Sequence, residues 1–115
     1  MSEPQLWHVT LTVGGTPFEP DAVRGALERL ARERPFFLSG RYDGDHAELR
    51  YWEEASECED ACALALRLWG EHRESALLPP WRVCGLEVLS RDEHQRRNGH
   101  AVSSTGDWTP FDPVG

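Results

Sequence analysis

Few residues of this chain have both the type and the placing for chemistry. His8 stands in LWHVTLTV, residues 6–13, where apolar and polar positions alternate. Period two makes this stretch a strand, with Trp7, Val9, Leu11 and Val13 on one face and His8, Thr10 and Thr12 on the other. A second stretch, residues 36–52, reads FFLSGRY, then Asp43-Gly44, then DHAELRYW. As a hairpin it puts Phe37, Ser39, Arg41, His46, Glu48, Arg50 and Trp52 on one face. A histidine beside a carboxylate can take up a proton as general base, and a neighbouring arginine can orient the pair or stabilise charge. His8 with Glu48 or Arg50 is therefore the set through which this chain would act as an enzyme. Spacing alone does not bring such groups together on a substrate. The same residues also read as a solvated face with cross-strand charge pairs, each worth about 0.2–1 kcal/mol. They read equally as a contact surface, because Trp52, Phe37 and Val83 among polar groups make a semi-apolar patch that suits a partner. Contact is the preferred reading, with His8, Phe37, Arg50 and Trp52 as its residues and catalysis by His8, Glu48 and Arg50 as the alternative.

These side chains are positioned by the hairpin. Asp-Gly between two apolar-rich runs signals a two-residue type I′ turn, which needs positive φ at both central residues. With Asp43-Gly44 as the loop, Tyr42 faces Asp45, Gly40 faces Ala47, Leu38 faces Leu49 and Phe36 faces Tyr51, all on the apolar side. A slip of one residue would mix the faces.

Two helical stretches flank the hairpin. Glu19-Pro20-Asp21 opens the first, with proline in a first turn where its missing N–H costs nothing. Val23, Ala26, Leu27, Leu30 and Ala31 follow the stripe of an amphipathic helix, and Pro35 ends it. Ser56-Glu57-Cys58-Glu59 reads as a capping box with Ser56 as N-cap. Ala61, Cys62, Ala65, Leu68, Trp69 and His72 then recur at helical spacing to about residue 74, with Leu77 and Leu78 tucked beneath. Pro79-Pro80 leads into a last strand, WRVCGLEVL, residues 81–89. On it Val83 and Glu87 are expected outward, with Cys84, Leu86 and Val88 towards the helices.

The order is β-α-β-β-α-β. Two right-handed crossovers in one antiparallel sheet give strand order 4-1-3-2 with two helices on one face. This α+β arrangement resembles the ferredoxin-like α/β sandwich. The resemblance is to a fold used by enzymes, metal carriers, ligand sensors and RNA binders alike, so it implies no single activity. Residues 1–90 are read as the domain. Residues 91–115 are read as a polar linker, with a short helical turn at its start, and an aromatic tail. Trp108 and Phe111 in that tail are expected to dock on the parent domain, a second subunit or another protein, since leaving them wet forgoes roughly 1.5–3 kcal/mol each.

Composition narrows the classes. The chain has 115 residues and a net charge of −8. An acidic protein is a poor substitute for counterions, which argues against nucleic acid and anionic membranes. The equivalents of the base-stacking positions of RNA-recognition domains are His8, Thr10, Arg50 and Trp52, too poor in aromatics for that role. No apolar run approaches the length of a membrane span. No basic region followed by an apolar core opens the chain, so no signal peptide is expected. Cys58, Cys62 and Cys84 read as reduced core thiols of a cytoplasmic protein. With His72 they could be imagined around zinc, but C-x₃-C on a helix is not a zinc-knuckle spacing, and no metal or cofactor is expected. The loop GGTPFEPD lacks the cysteine pair that metal carriers of this fold bear. It also lacks the arginine that a phosphate-cradling loop would want. The expectation is a small non-catalytic module, self-associating as a homodimer or binding a protein or small ligand on its helix-free sheet face and through its tail.

Overall fold

The structure, a computed structural model, describes residues 3–34, 36–98 and 107–110. The elements run β1 (Gln5–Gly14), α1 (Pro20–Glu33), β2 (Phe37–Tyr42), β3 (His46–Ala55), α2 (Cys58–His72), β4 (Arg82–Ser90), α3 (Arg91–Asn98) and β5 (Asp107–Pro110). The sheet order is β4-β1-β3-β2-β5. Its four antiparallel strands thus follow the expected 4-1-3-2. β5 adds to the β2 edge in parallel, with Trp108 opposite Gly40.

Alternation builds the core as read. Val9, Leu11 and Val13 of β1 are fully buried with Ala47, Leu49 and Tyr51 of β3, and α1 covers them with Val23, Ala26, Leu27 and Leu30. Ala65, Leu68 and Trp69 of α2 complete this layer. Trp69 donates its indole N–H to the Pro79 carbonyl at 2.9 Å. Trp81 stacks on it at 6.0 Å and donates to the Thr16 carbonyl at 2.8 Å. Both indoles thereby satisfy their one polar atom while burying a large ring.

Several expectations need correction. There are three helices among the described residues, not two. α1 and α2 share the core face. α3 lies against β4 and β1 on the opposite face. α2 begins at Cys58 with Glu57 at the N-cap, one residue later than the expected Ser56, and the Glu57 side chain makes no cap hydrogen bond. Leu78 is buried as expected, but Leu77 is 69% exposed with φ 54°.

The hairpin keeps its parity and changes its register. Tyr42 faces Ala47, Gly40 faces Leu49 and Arg41 faces Glu48, a shift of two residues from the expected pairing. A shift of two leaves every side chain on its face. The type I′ turn is not formed: neither Asp43 nor Gly44 has positive φ. Instead the Asp43 N–H donates to the His46 carbonyl at 2.8 Å, and the loop after β1 grips the corner. Gly15 N–H donates to Asp45 O at 3.0 Å and Phe18 N–H to Gly44 O at 2.7 Å. A Cβ on Gly44 would stand 2.7 Å from the Phe18 carbonyl oxygen. Glycine is needed here for close approach rather than for its φ.

Farther along β2 parity does fail. Phe37 faces Tyr51 while Ser39 faces Arg50, so a bulge separates them. A bulge inserts one residue and reverses which side chain looks inward. Phe37, expected on the outer face, is buried, its ring 5.1 Å from that of Tyr51. Phe36 turns out instead, 62% exposed at φ 70°. A second bulge between Thr12 and Val13 does the same on β4, where Thr12 faces Gly85 and Val13 faces Val83. Val83 packs against the core, not outward, and Cys84 is exposed.

Candidate functional site

The outer face of the sheet is best described as cross-strand rows. β1 and β3 pair His8 with Trp52, Thr10 with Arg50 and Thr12 with Glu48. β4 adds Leu89 beside His8, Glu87 beside Thr10 and Gly85 beside Thr12. β2 adds Ser39 beside Arg50 and Arg41 beside Glu48. The three rows are therefore Leu89–His8–Trp52, Glu87–Thr10–Arg50–Ser39, and Gly85–Thr12–Glu48–Arg41. The first is apolar and aromatic, and the other two are polar with charges of both signs.

α3 covers the first row. His94 stacks on His8 with ring centroids 3.9 Å apart and planes inclined by 25°. Trp52 meets both imidazoles edge-on, at 5.2 Å from His8 and 5.1 Å from His94. His8 is 5% exposed as a result. Its Nδ1 is buried with no hydrogen-bond partner among the described residues. Burial, then His94, then Arg50 hold the His8 imidazole at a pKa of about 4, well below its ordinary value. Burial and Arg50 lower His94 as well, against an opposing pull from Glu87. Each charged imidazole would lose water and face like charge.

The helix itself has little else to hold it. None of its residues is buried. Ser90 caps it by accepting the Glu93 N–H at 3.1 Å. Arg97 bridges Glu93 at 2.7 Å and reaches Glu87 on β4 at 3.5 Å. Eight residues in isolation make a marginal helix, so its place depends on the His94 stack and the Arg97–Glu87 pair.

The structure brings His8, Trp52 and Arg50 together, Arg50 lying diagonally across from His8. It does not bring Glu48 to His8. Glu48 faces Thr12, four strand positions away, about 13 Å at the usual rise, and is held by Arg50 at 3.2 Å. The expected base and carboxylate are thus apart, and the imidazole is capped. Phe37 belongs to the core. Trp108 has its backbone in β5, and Phe111 lies outside the described residues. His94 is the member of this cluster that sequence reasoning missed. The signal was present: Ser90-Arg91-Asp92-Glu93 has the S-x-x-E spacing of a helix start, and it puts His94 on the first turn.

The thiols do not converge with His72. Cys84 is exposed on the far side of the sheet from the half-buried Cys58 and Cys62, and His72 Nδ1 lies 2.7 Å from Glu33. Asp43, Asp45 and His46 bring three ligand atoms within 4.8 Å of one another at the exposed hairpin corner. Exposed acidic groups gather in this way without an ion. A second polar group is buried on the core face. Glu53, 8% exposed, accepts from Arg34 at 2.9 Å, and burial raises the neighbouring Tyr51 phenol well above its usual range.

No helix among the described residues is long and apolar enough to cross a membrane. Residues 6–105 match a family model described as a domain of unknown function (DUF8830), and the chain belongs to that family. No curated protein and no solved structure matches it.

Proposed function

We propose that this chain is a small non-catalytic interaction module that pairs with a second copy of itself across the outer face of its sheet. The observation that carries the reading is the make-up of the three rows. They set an aromatic and apolar row, partly covered by α3, beside two rows that carry charges of both signs, and His8, the imidazole expected as base, is buried and stacked with no carboxylate bonded to it among the described residues. The middle row also suits a twofold contact. Its acid, Glu87, and its base, Arg50, stand on either side of Thr10, so two copies meeting face to face can set each Glu87 against the other's Arg50. Complementary charge of this kind fixes register and partner more than it adds affinity. The chain order of β1 to β4 with α1 and α2 supports reading the core as a ferredoxin-like sandwich, with α3 and β5 as additions. In this proposal Trp108, whose backbone lies in β5, and Phe111 add to the contact. Three unpaired thiols support a reducing, cytoplasmic setting.

Light scattering tests the proposal. The expected molar mass is twice the 13.1 kDa of one chain, falling to that of one chain in Arg50→Glu and restored in Arg50→Glu with Glu87→Arg. A single-chain mass for the unaltered protein at all concentrations up to the millimolar range would overturn it.

A further inference from the structure

We infer that α3 is a proton-released cover over the outer face, holding the Leu89–His8–Trp52 row closed at neutral pH and uncovering it on acidification. The inference rests on the proposed use of that face, since it names what controls access to it.

The geometry is that of a short helix between β4 and β5, fastened to the sheet by one ring and one ion pair. α3 follows β4 without a break at Ser90 and Arg91, and buries none of its own residues. What it sets on the sheet is one ring, His94, face to face with His8 and edge-on to Trp52. Charged groups among the described residues surround it. From β3, Arg50 stands diagonal to His8. From β4, Glu87 lies near His94 and pairs with Arg97. From α3 itself come Glu93, Arg96 and Arg97, tied to one another. The carboxylates are thus engaged with arginines, and no carboxylate accepts from His8 among the described residues. A proton on His8 faces two cations, His94 when charged and Arg50, while a proton on His94 faces Arg50 with Glu87 opposing.

The sign follows from linkage. With α3 in place His8 binds a proton only near pH 4. With α3 lifted, its ring regains water and loses His94, so it binds protons at higher pH. The lifted form therefore takes up more protons, and the cover is at full strength above the ordinary histidine range and weakens as pH falls through it. Taking the ordinary value for the lifted form, the docking constant falls roughly 30-fold between pH 7.5 and pH 5.

Backbone ¹⁵N relaxation of the full chain at the two pH values reads the cover directly. Residues 91–98 are expected to be as rigid as the strands at pH 7.5, with order parameters of about 0.85, and to fall below about 0.6 at pH 5, while β1 and β3 stay rigid. In His8→Phe with His94→Phe, which keeps two stacked rings and removes both protons, α3 is expected to stay rigid at pH 5. A wild-type α3 equally rigid at both pH values would overturn the inference. So would a double variant that loosens as the wild type does. The wild-type comparison decides alone should the double variant not fold. Light scattering on His94→Ala separates the two claims. α3 loosened at pH 7.5 with stronger self-association supports both, whereas α3 loosened with a single-chain mass supports the cover and overturns the interaction reading.

Discussion

Substitution of Gly44 distinguishes two physical reasons for one glycine. In an Asp-Gly type I′ turn the glycine is there for its positive φ, and Asn, which tolerates that conformation, is a fair replacement. In the structure Gly44 has no positive φ, and its missing Cβ makes room for the Phe18 carbonyl oxygen, which a methyl group would meet at 2.7 Å. Backbone cannot move aside as a flexible side chain would. Relief must come from parting the corner from the β1–α1 loop, which gives up the bonds from Phe18 to Gly44 and from Gly15 to Asp45. Two such bonds contribute about 1–3 kcal/mol net. The loss of unfolded-state freedom in Gly→Ala returns about 0.4–1 kcal/mol. The expected cost of Gly44→Ala is then about 1–2 kcal/mol, or about 4–8 °C in melting temperature for a chain of this size. Gly44→Asn should cost at least as much, because Asn carries the same Cβ. Urea unfolding of both variants, read at constant m-value, is the assay. An Asn variant as stable as the wild type beside a weakened Ala variant would refute the close-approach argument and restore the turn-type one.

Three further outcomes follow from the same coordinates. Phe37→Ala should cost about 3–5 kcal/mol by urea unfolding, as for a buried aromatic ring, whereas Phe36→Gly should cost nothing measurable; the reverse order would mean that the β2 bulge is misplaced. Removing Arg34 from the buried Glu53 carboxylate should destabilise more than removing both. Arg34→Met is expected to cost about 2–4 kcal/mol and its combination with Glu53→Leu less than that, and additive losses in the double-mutant cycle would contradict the pairing. Ser75 and then His72 hold the Glu33 carboxyl below its usual range. Glu33 thus contributes stability that is present above the ordinary carboxylate range and lost as pH falls through the folded value. Glu33→Gln should flatten that part of the pH profile, and an unchanged profile would remove the interaction.

Much of this was legible in the sequence because period and burial agree. The alternation of 6–13 gave Val9, Leu11 and Val13 to the core and His8 to the other face, and the stripe from Val23 to Leu30 gave α1 its buried side. Strand order followed from element order and handedness. The turn at Gly44 was misread because its shape is set from outside, by Gly15 and Phe18, and local turn chemistry carries no record of that grip. Phe37 and Val83 were misplaced because a bulge of one residue inverts parity and leaves no mark in composition. α3 was read as a linker because its polar residues show no apolar stripe. It docks by one imidazole and one ion pair, and only a short helical turn was expected at its start. The candidate site was therefore half legible: His8, Arg50 and Trp52 were named, His94 was not, and Glu48 was placed too near.

The ring titration of His8 by NMR bears most directly on the claim that α3 closes this face. Stacked under His94 and beside Trp52, His8 is expected to titrate near pH 4, and to move up towards the ordinary histidine value in His94→Ala. A wild-type His8 titrating at the ordinary histidine value of about 6.5, unmoved by the substitution, would mean that the ring is open to water and that nothing covers the row.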